Sequence, residues 1–187
     1  NAALSSASLA VDLGDLGKIT YDQGVGAGGI STIDDKTPSA NEEVWDSLDA
    51  VSNEGNALVG GGNSGVFVFA NTYSDINLSA SVSKGGRTAQ SDGAVGGEGI
   101  SGTSWDFALT NQTLYEGVDF GFGYGEIANL DQGQDEHSVA YANYSMGIVT
   151  AGVTMSKVED TRASGTDEIG QGFGVAVNVN DSLSVSY

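Results

Sequence analysis

Carboxylates crowd one stretch of the chain: Asp34, Asp35, Glu42, Glu43, Asp46 and Asp49 all lie between Gly24 and Asn63. Acids at this density can hold calcium through their oxygens, or they can simply solvate a long loop. No ligand spacing within them singles out one ion. His137 is the single histidine and follows "DQGQDE" with serines nearby, the ingredients of a Ser-His-carboxylate relay. A lone His in a polar turn is ordinarily a surface residue, so the expectation is a protein that is not an enzyme. Without any Cys, thiolate catalysis, disulfides and Cys metal sites are excluded. "GVGAGG" and "GEGISG" are rich in Gly, but no Lys-Ser/Thr follows either, so neither is a phosphate loop.

The elements that must position these residues are strands. In "SDINLSASVSKGG", Ile76, Leu78, Ala80 and Val82 alternate with Asn77, Ser79, Ser81 and Ser83. A period of two residues puts the apolar set on one face and the polar set on the other. The same alternation sets Trp105, Phe107 and Leu109 against Asp106, Ala108 and Thr110. It sets Phe120, Phe122 and Tyr124 against Gly121, Gly123 and Gly125, and Val149, Ala151, Val153 and Met155 against Thr150, Gly152, Thr154 and Ser156. About ten such strands are expected along the chain. In 136–146 two phases compete, Val139 and Tyr141 against Ala140, Ala142 and Tyr144.

The connections are uneven. "GDLG", "YSDI", "SMGI" and "NDS" are tight turns. Gly85–Gly99, Asn129–Glu136 and Glu159–Asp167 read as longer polar loops. Short and long connections in alternation describe an up-and-down arrangement. One connection, 24–63, is far longer than the rest. Its "SANEEVWDSLDAV" fits a short helix with Val44, Leu48 and Val51 at helical spacing.

Composition narrows the class. The chain has 187 residues, 25 Asp and Glu against 6 Lys and Arg, and a formal charge of −19. Such an excess repels nucleic acid and anionic lipid surfaces. No apolar run approaches the roughly 20 residues of a spanning helix, a test to which alternating barrel strands are blind. The polar strand faces carry Ser, Thr, Asn and Gly rather than the Lys and Glu usual on a solvated sheet. Small polar residues suit the wall of an aqueous bore, and the Ile, Leu, Val and aromatic faces suit lipid. Tyr21, Tyr73, Tyr115, Tyr124, Tyr144 and Tyr187 are expected near strand ends, as in interfacial girdles. The periodicity alone equally describes a secreted or surface β-sandwich that binds a ligand or calcium.

The order of elements carries a resemblance. "LAVDLGDLGKITYDQGVGAGG", a long acidic loop, "SGVFVFANTYSDINLSASVSKGG", and then "FGFGYGEI" and "YSMGIVTAGVTMS" resemble the general porins of Gram-negative outer membranes, in particular their alphaproteobacterial type. The family's aromatic-Gly-Lys turn reads Leu16-Gly17-Lys18 here, with Leu16 in the aromatic's place. The resemblance implies a transmembrane antiparallel β-barrel of sixteen strands, assembled as a homotrimer. Residues 1–187 would be an internal piece of a longer chain, lacking strands before Ser6 and after Tyr187. It further implies that 24–63 folds into the barrel as a constriction loop. Asp34, Asp35, Glu42, Glu43, Asp46 and Asp49 would then line the narrowing, with Lys18, and Lys84 as a weaker candidate, on the facing wall. The function implied is passive diffusion of small hydrophilic solutes and ions, with preference for cations. No cofactor is required, calcium in the acidic loops remaining an open alternative, and the partners are outer-membrane lipid and the permeating solutes.

Overall fold

A computed structural model describes residues 8–22, 28–33, 36–38, 66–83, 101–129, 133–160 and 167–187. Wherever apolar and polar residues alternate, the backbone is extended and pairs with the next strand in sequence. The strands are β1 (Ser8–Asp12), β2 (Lys18–Asp22), β3 (Val66–Tyr73), β4 (Ile76–Ser83) and β5 (Ser101–Asn111). There follow β6 (Val118–Asn129), β7 (Gly133–Met146), β8 (Val149–Asp160), β9 (Glu168–Asn180) and β10 (Leu183–Ser186). They form one ten-stranded antiparallel sheet in the order of the chain, the up-and-down topology expected. β1 and β10 are its two edges, and no pairing between them among the described residues closes the sheet. The described helices are short 3-10 turns at Gly14–Leu16 and Gly29–Thr32, and none is long and apolar enough to cross a membrane.

The tight turns expected from the sequence, after β1, β3, β7 and β9, lie at one end of the strands. β3 and β4 are joined through Ser74 and Asp75, both at positive φ (47° and 72°), the left-handed pair that matches strand twist in a two-residue hairpin. Asn111 fastens this turn by donating from Nδ2 to the Asp75 carbonyl at 2.8 Å. At the opposite edge two connections are shorter than their sequences suggest. Asn129 pairs with Gly133, so only 130–132 link β6 to β7, and β8 continues to Asp160. Polar residues end the hydrophobic alternation there, but ladder bonds need only backbone groups, so the strands outrun their apolar pattern.

The pairing rows are oblique to the turn edge. One row runs through Leu9, Tyr21, Phe67, Val82, Trp105, Glu126, Glu136 and Glu159. Its first member, Leu9, is three residues from the turn end of β1 at Asp12, and its last, Glu159, is ten residues from the turn end of β8 at Val149. Successive strands are thus staggered in one direction, by roughly one residue per strand, the kind of offset that goes with strand tilt in closed sheets.

The two faces differ in burial in an unusual sense. On one face Asp106 is 1% exposed and Thr154 1%, while on the other Phe122 is 46%, Met155 56% and Phe173 60% exposed. The polar face is the covered one. Among the described residues one buried apolar cluster forms on the polar face: Ile30 and Ile33 from the 24–63 connection, set against Ala108, Val139 and Tyr141. This resolves the competing phases of β7. Ala140, Ala142 and Tyr144 continue the exposed apolar face, whereas Val139 and Tyr141 point the other way because Ile30 and Ile33 seat on them.

Candidate functional site

The polar face is assembled row by row from the ladder. One row carries Thr20, Val68, Ser81, Asp106, Gly125, His137 and Val158. The next carries Lys18, Ala70, Ser79, Ala108, Gly123, Val139, Ser156 and Gly170. Ser, Thr, Gly and Ala make up nine of these fifteen residues, so much of the surface is built from small side chains.

Two pieces of the 24–63 connection, 28–33 and 36–38, lie across this face. The first contacts β4, β5 and β6. Gly29 N–H donates to Ser79 Oγ at 2.7 Å, and Ile30 N–H to Asp106 Oδ1 at 3.1 Å. Ser31 Oγ and Gly28 close the bend on each other, Ser31 donating to the Gly28 carbonyl at 2.8 Å. The second piece reaches β7, β8 and β9. Asn143 Nδ2 donates to the Lys36 carbonyl at 2.7 Å, and Thr37 Oγ1 donates to Thr154 Oγ1 at 3.0 Å. Glycine makes this contact possible: a β-carbon on Gly123 would stand 2.8 Å from Ile30 Cγ1 and 3.0 Å from Ile33 Cδ1.

The forces divide by kind. Burying two isoleucine side chains contributes roughly 1.5–3 kcal/mol each. Each hydrogen bond contributes a net of about 0.5–1.5 kcal/mol. The isoleucines therefore supply much of the attraction, while the hydrogen bonds, being directional, set the position.

Beside the crossing pieces, toward the turn edge, the polar face bounds a cavity of about 700 Å³. Lys18, Thr20, Thr32, Lys36, Ser79, Thr110 and Tyr141 are among its walls. Lys18 is the described member of the residue set expected at a constriction, and it stands here opposite Asp12 in the ladder. Asp34, Asp35, Glu42, Glu43, Asp46 and Asp49, like Lys84 and the helix expected around Trp45, lie outside the described residues. Lys36 is a cation that the sequence did not single out. It stands beside the acids in the chain, but what matters is the Asn143 bond that brings its backbone to the wall. Among the described residues no group of three His, Cys, Asp or Glu is placed to hold a metal ion.

His137 is not in a turn. It belongs to β7 on the polar face, between Gly125 and Val158, and its Nδ1 is buried without a hydrogen-bond partner. A relay histidine needs that nitrogen oriented by a carboxylate, and no such hydrogen bond is made here.

The exposed apolar face carries tilted aromatic pairs, Tyr21 with Phe67 at 4.9 Å and Trp105 with Tyr124 at 5.7 Å. Tyr124 lies well inside β6 rather than at its end, and its hydroxyl stands within hydrogen-bonding distance of Glu126 and Glu136, with one proton to give to either. Trp105 Nε1 donates to Glu126 Oε2 at 3.2 Å. Lys157 reaches Glu159 at 2.5 Å and Asp167 at 3.8 Å. The apolar band thus ends, toward the longer connections, in aromatics whose polar atoms meet carboxylates. Tyr73, Tyr115 and Tyr144 lie near the turn edge.

Neither protein-family models nor curated proteins gave a match to this chain.

Proposed function

We propose that this sheet is the wall of a transmembrane β-barrel of the Gram-negative general porin type, through which small hydrophilic solutes diffuse passively. The observation that carries the reading is the inversion of the faces. Phe122, Met155 and Phe173 stand exposed, while Ser81, Asp106 and Thr154 are covered by the chain's own connection. Water does not favour that arrangement, since an exposed sheet of aromatics would aggregate. A bilayer does favour it, because hydrocarbon accepts the apolar face and an aqueous bore accepts hydroxyls and amides. The common direction of the strand stagger agrees with the tilt of about 35–45° found in such barrels. Aromatics with polar tips at the margins of the apolar band suit the interface with headgroups.

The remaining parts of the reading follow from the resemblance. The barrel has sixteen strands, three copies associate in the outer membrane, and further strands pair with β1 and β10, since open edges in lipid cost several kcal/mol per unpaired group. The crossing pieces narrow the bore. Asp34, Asp35, Glu42, Glu43, Asp46 and Asp49 concentrate cations in it, with Lys18 on the facing wall, and no covalent chemistry is involved. The contrasting reading, a soluble ligand- or calcium-binding sandwich, requires Ile76 and Phe122 in a core; both are 46% exposed.

The experiment is reconstitution of the full-length parent protein in planar bilayers. Discrete conductance steps with reversal potentials favouring cations are expected. Folded protein that gives no steps would overturn the proposal.

A further inference from the structure

We propose that Asp106 is a positioning residue: its carboxylate sets how far the crossing segment stands off the wall, and thereby the width of the passage, an inference that rests on the channel reading above. Asp106 sits in the middle of the sheet, 1% exposed, with β4 on one side and β6 on the other. One oxygen, Oδ1, takes donors from two separate parts of the chain. Ser81 Oγ of β4 donates at 2.5 Å, and the Ile30 N–H of the segment donates at 3.1 Å. Its other oxygen, Oδ2, is buried with no hydrogen-bond partner.

Packing alone has no use for such a group. A buried carboxylate with few donors is costly where an apolar side chain would be tolerated. What the carboxylate adds is direction. Ile30 and Ile33 attract the segment to Ala108, Val139 and Tyr141 without prescribing a height. The paired bonds from Gly29 to Ser79 and from Ile30 to Asp106 do prescribe one. The segment is shaped to that height. Gly29 has φ +60°, and a β-carbon there would overlap the Asp106 carboxylate and lie 2.6 Å from Ser81 Oγ. Only a residue without a side chain can bring two successive N–H groups onto this wall.

Two substitutions should therefore move the segment in opposite directions. Asp106→Ala removes the stop and the bond, letting the segment settle toward β5. Gly29→Ala wedges it away from the wall and into the bore. Asp106→Asn keeps an Oδ1 acceptor for Ile30 and Ser81 and should behave as the parent does. In planar bilayers, the full-length protein with Asp106→Ala should give larger steps and lose exclusion of polymers that the parent rejects. Gly29→Ala should give smaller steps, and Asp106→Asn parental ones. A second readout does not depend on conduction. Residues 1–187 hold no Cys, so, with any Cys elsewhere in the parent replaced by Ser, Thr32→Cys is a unique thiol on the exposed side of the segment. Its rate of modification by a water-soluble reagent should change with Asp106→Ala and return with Asp106→Asn. If conductance and modification rate are the same in all four proteins, Asp106 positions nothing and the proposal falls. If the parent fails to conduct but the modification rates respond as stated, the channel reading falls and the role of Asp106 in placing the segment stands. Should Asp106→Ala not fold, Asp106→Ser, which shortens the side chain and withdraws the acceptor from Ile30, takes its place with the same expected readouts.

Discussion

Gly174 of β9 and Pro38 of the crossing segment meet backbone to backbone: a β-carbon on Gly174 would lie 2.5 Å from the Pro38 carbonyl oxygen. Thr37 Cγ2 would stand at 2.7 Å from the same position. The far end of the segment is therefore seated on bare main chain, as its near end is at Gly123.

Gly174→Ala should unseat residues 36–38. Overpacking of this kind costs about 1–3 kcal/mol when the neighbour cannot retreat, and here the neighbour is a carbonyl rather than a flexible side-chain tip. The Thr37–Thr154 bond should be lost with it. A lowered midpoint in urea unfolding from detergent or lipid, together with faster thiol modification of a Thr37→Cys reporter, would register the change. An unaltered midpoint and rate would mean the segment does not rest on β9.

Charge on the apolar face separates lipid from water as the surrounding medium. Phe173 lies in a row with Phe120, Ala142 and Val153, midway along its strand. Phe173→Lys should destabilise folding into vesicles by about 2–4 kcal/mol, the cost of a lysine near the bilayer midplane. Thr110→Lys, on the polar face beside the cavity, should fold as the parent does and weaken cation preference. A protein that folds equally well with Lys at 173 has water outside, and the barrel reading would fail.

Trp105 offers an optical version of the same question. It is 39% exposed on the apolar face and donates to Glu126 at the margin of the band. With Trp45 and any Trp outside residues 1–187 replaced by Phe, the Trp105 indole should be quenched by brominated lipids, most strongly when the bromines lie shallow in the chains. Quenching by aqueous iodide alone would place it in water instead.

The acidic connection makes a prediction about ions. Replacing Glu42, Glu43 and Asp46 by their amides should shift the reversal potential toward zero, because fewer carboxylates would concentrate cations. The parent's preference should itself fade in about 1 M salt, where the screening length is roughly 3 Å. Selectivity indifferent to both changes would show that these acids do not line the path.

Much of the sheet was legible in local pattern. Ile76 to Val82 and Trp105 to Leu109 alternate cleanly, and their strands form as expected because side-chain direction in an extended chain is settled residue by residue. The pattern misled where a face is neither plain water nor plain lipid. Val139 and Tyr141 broke the phase of β7 because two isoleucines about a hundred residues earlier in the chain seat on them. His137 passed for a turn residue because Gln134, Asp135 and Glu136 before it are polar, although they pair with Ala128, Ile127 and Glu126 in the ladder. Lys36 looked like one more residue of an acidic loop until Asn143 was seen to hold its carbonyl.

Sequence by itself determined the strands, their neighbours and the two-faced character of the sheet, since a two-residue period and turn-forming residues are local properties of the chain. Which face is covered, and by which residues, was decided only in three dimensions. Ser79 is 50 positions from Gly29, and Thr154 is 117 from Thr37. Contacts over such separations depend on the register of every intervening strand, and no local periodicity encodes them.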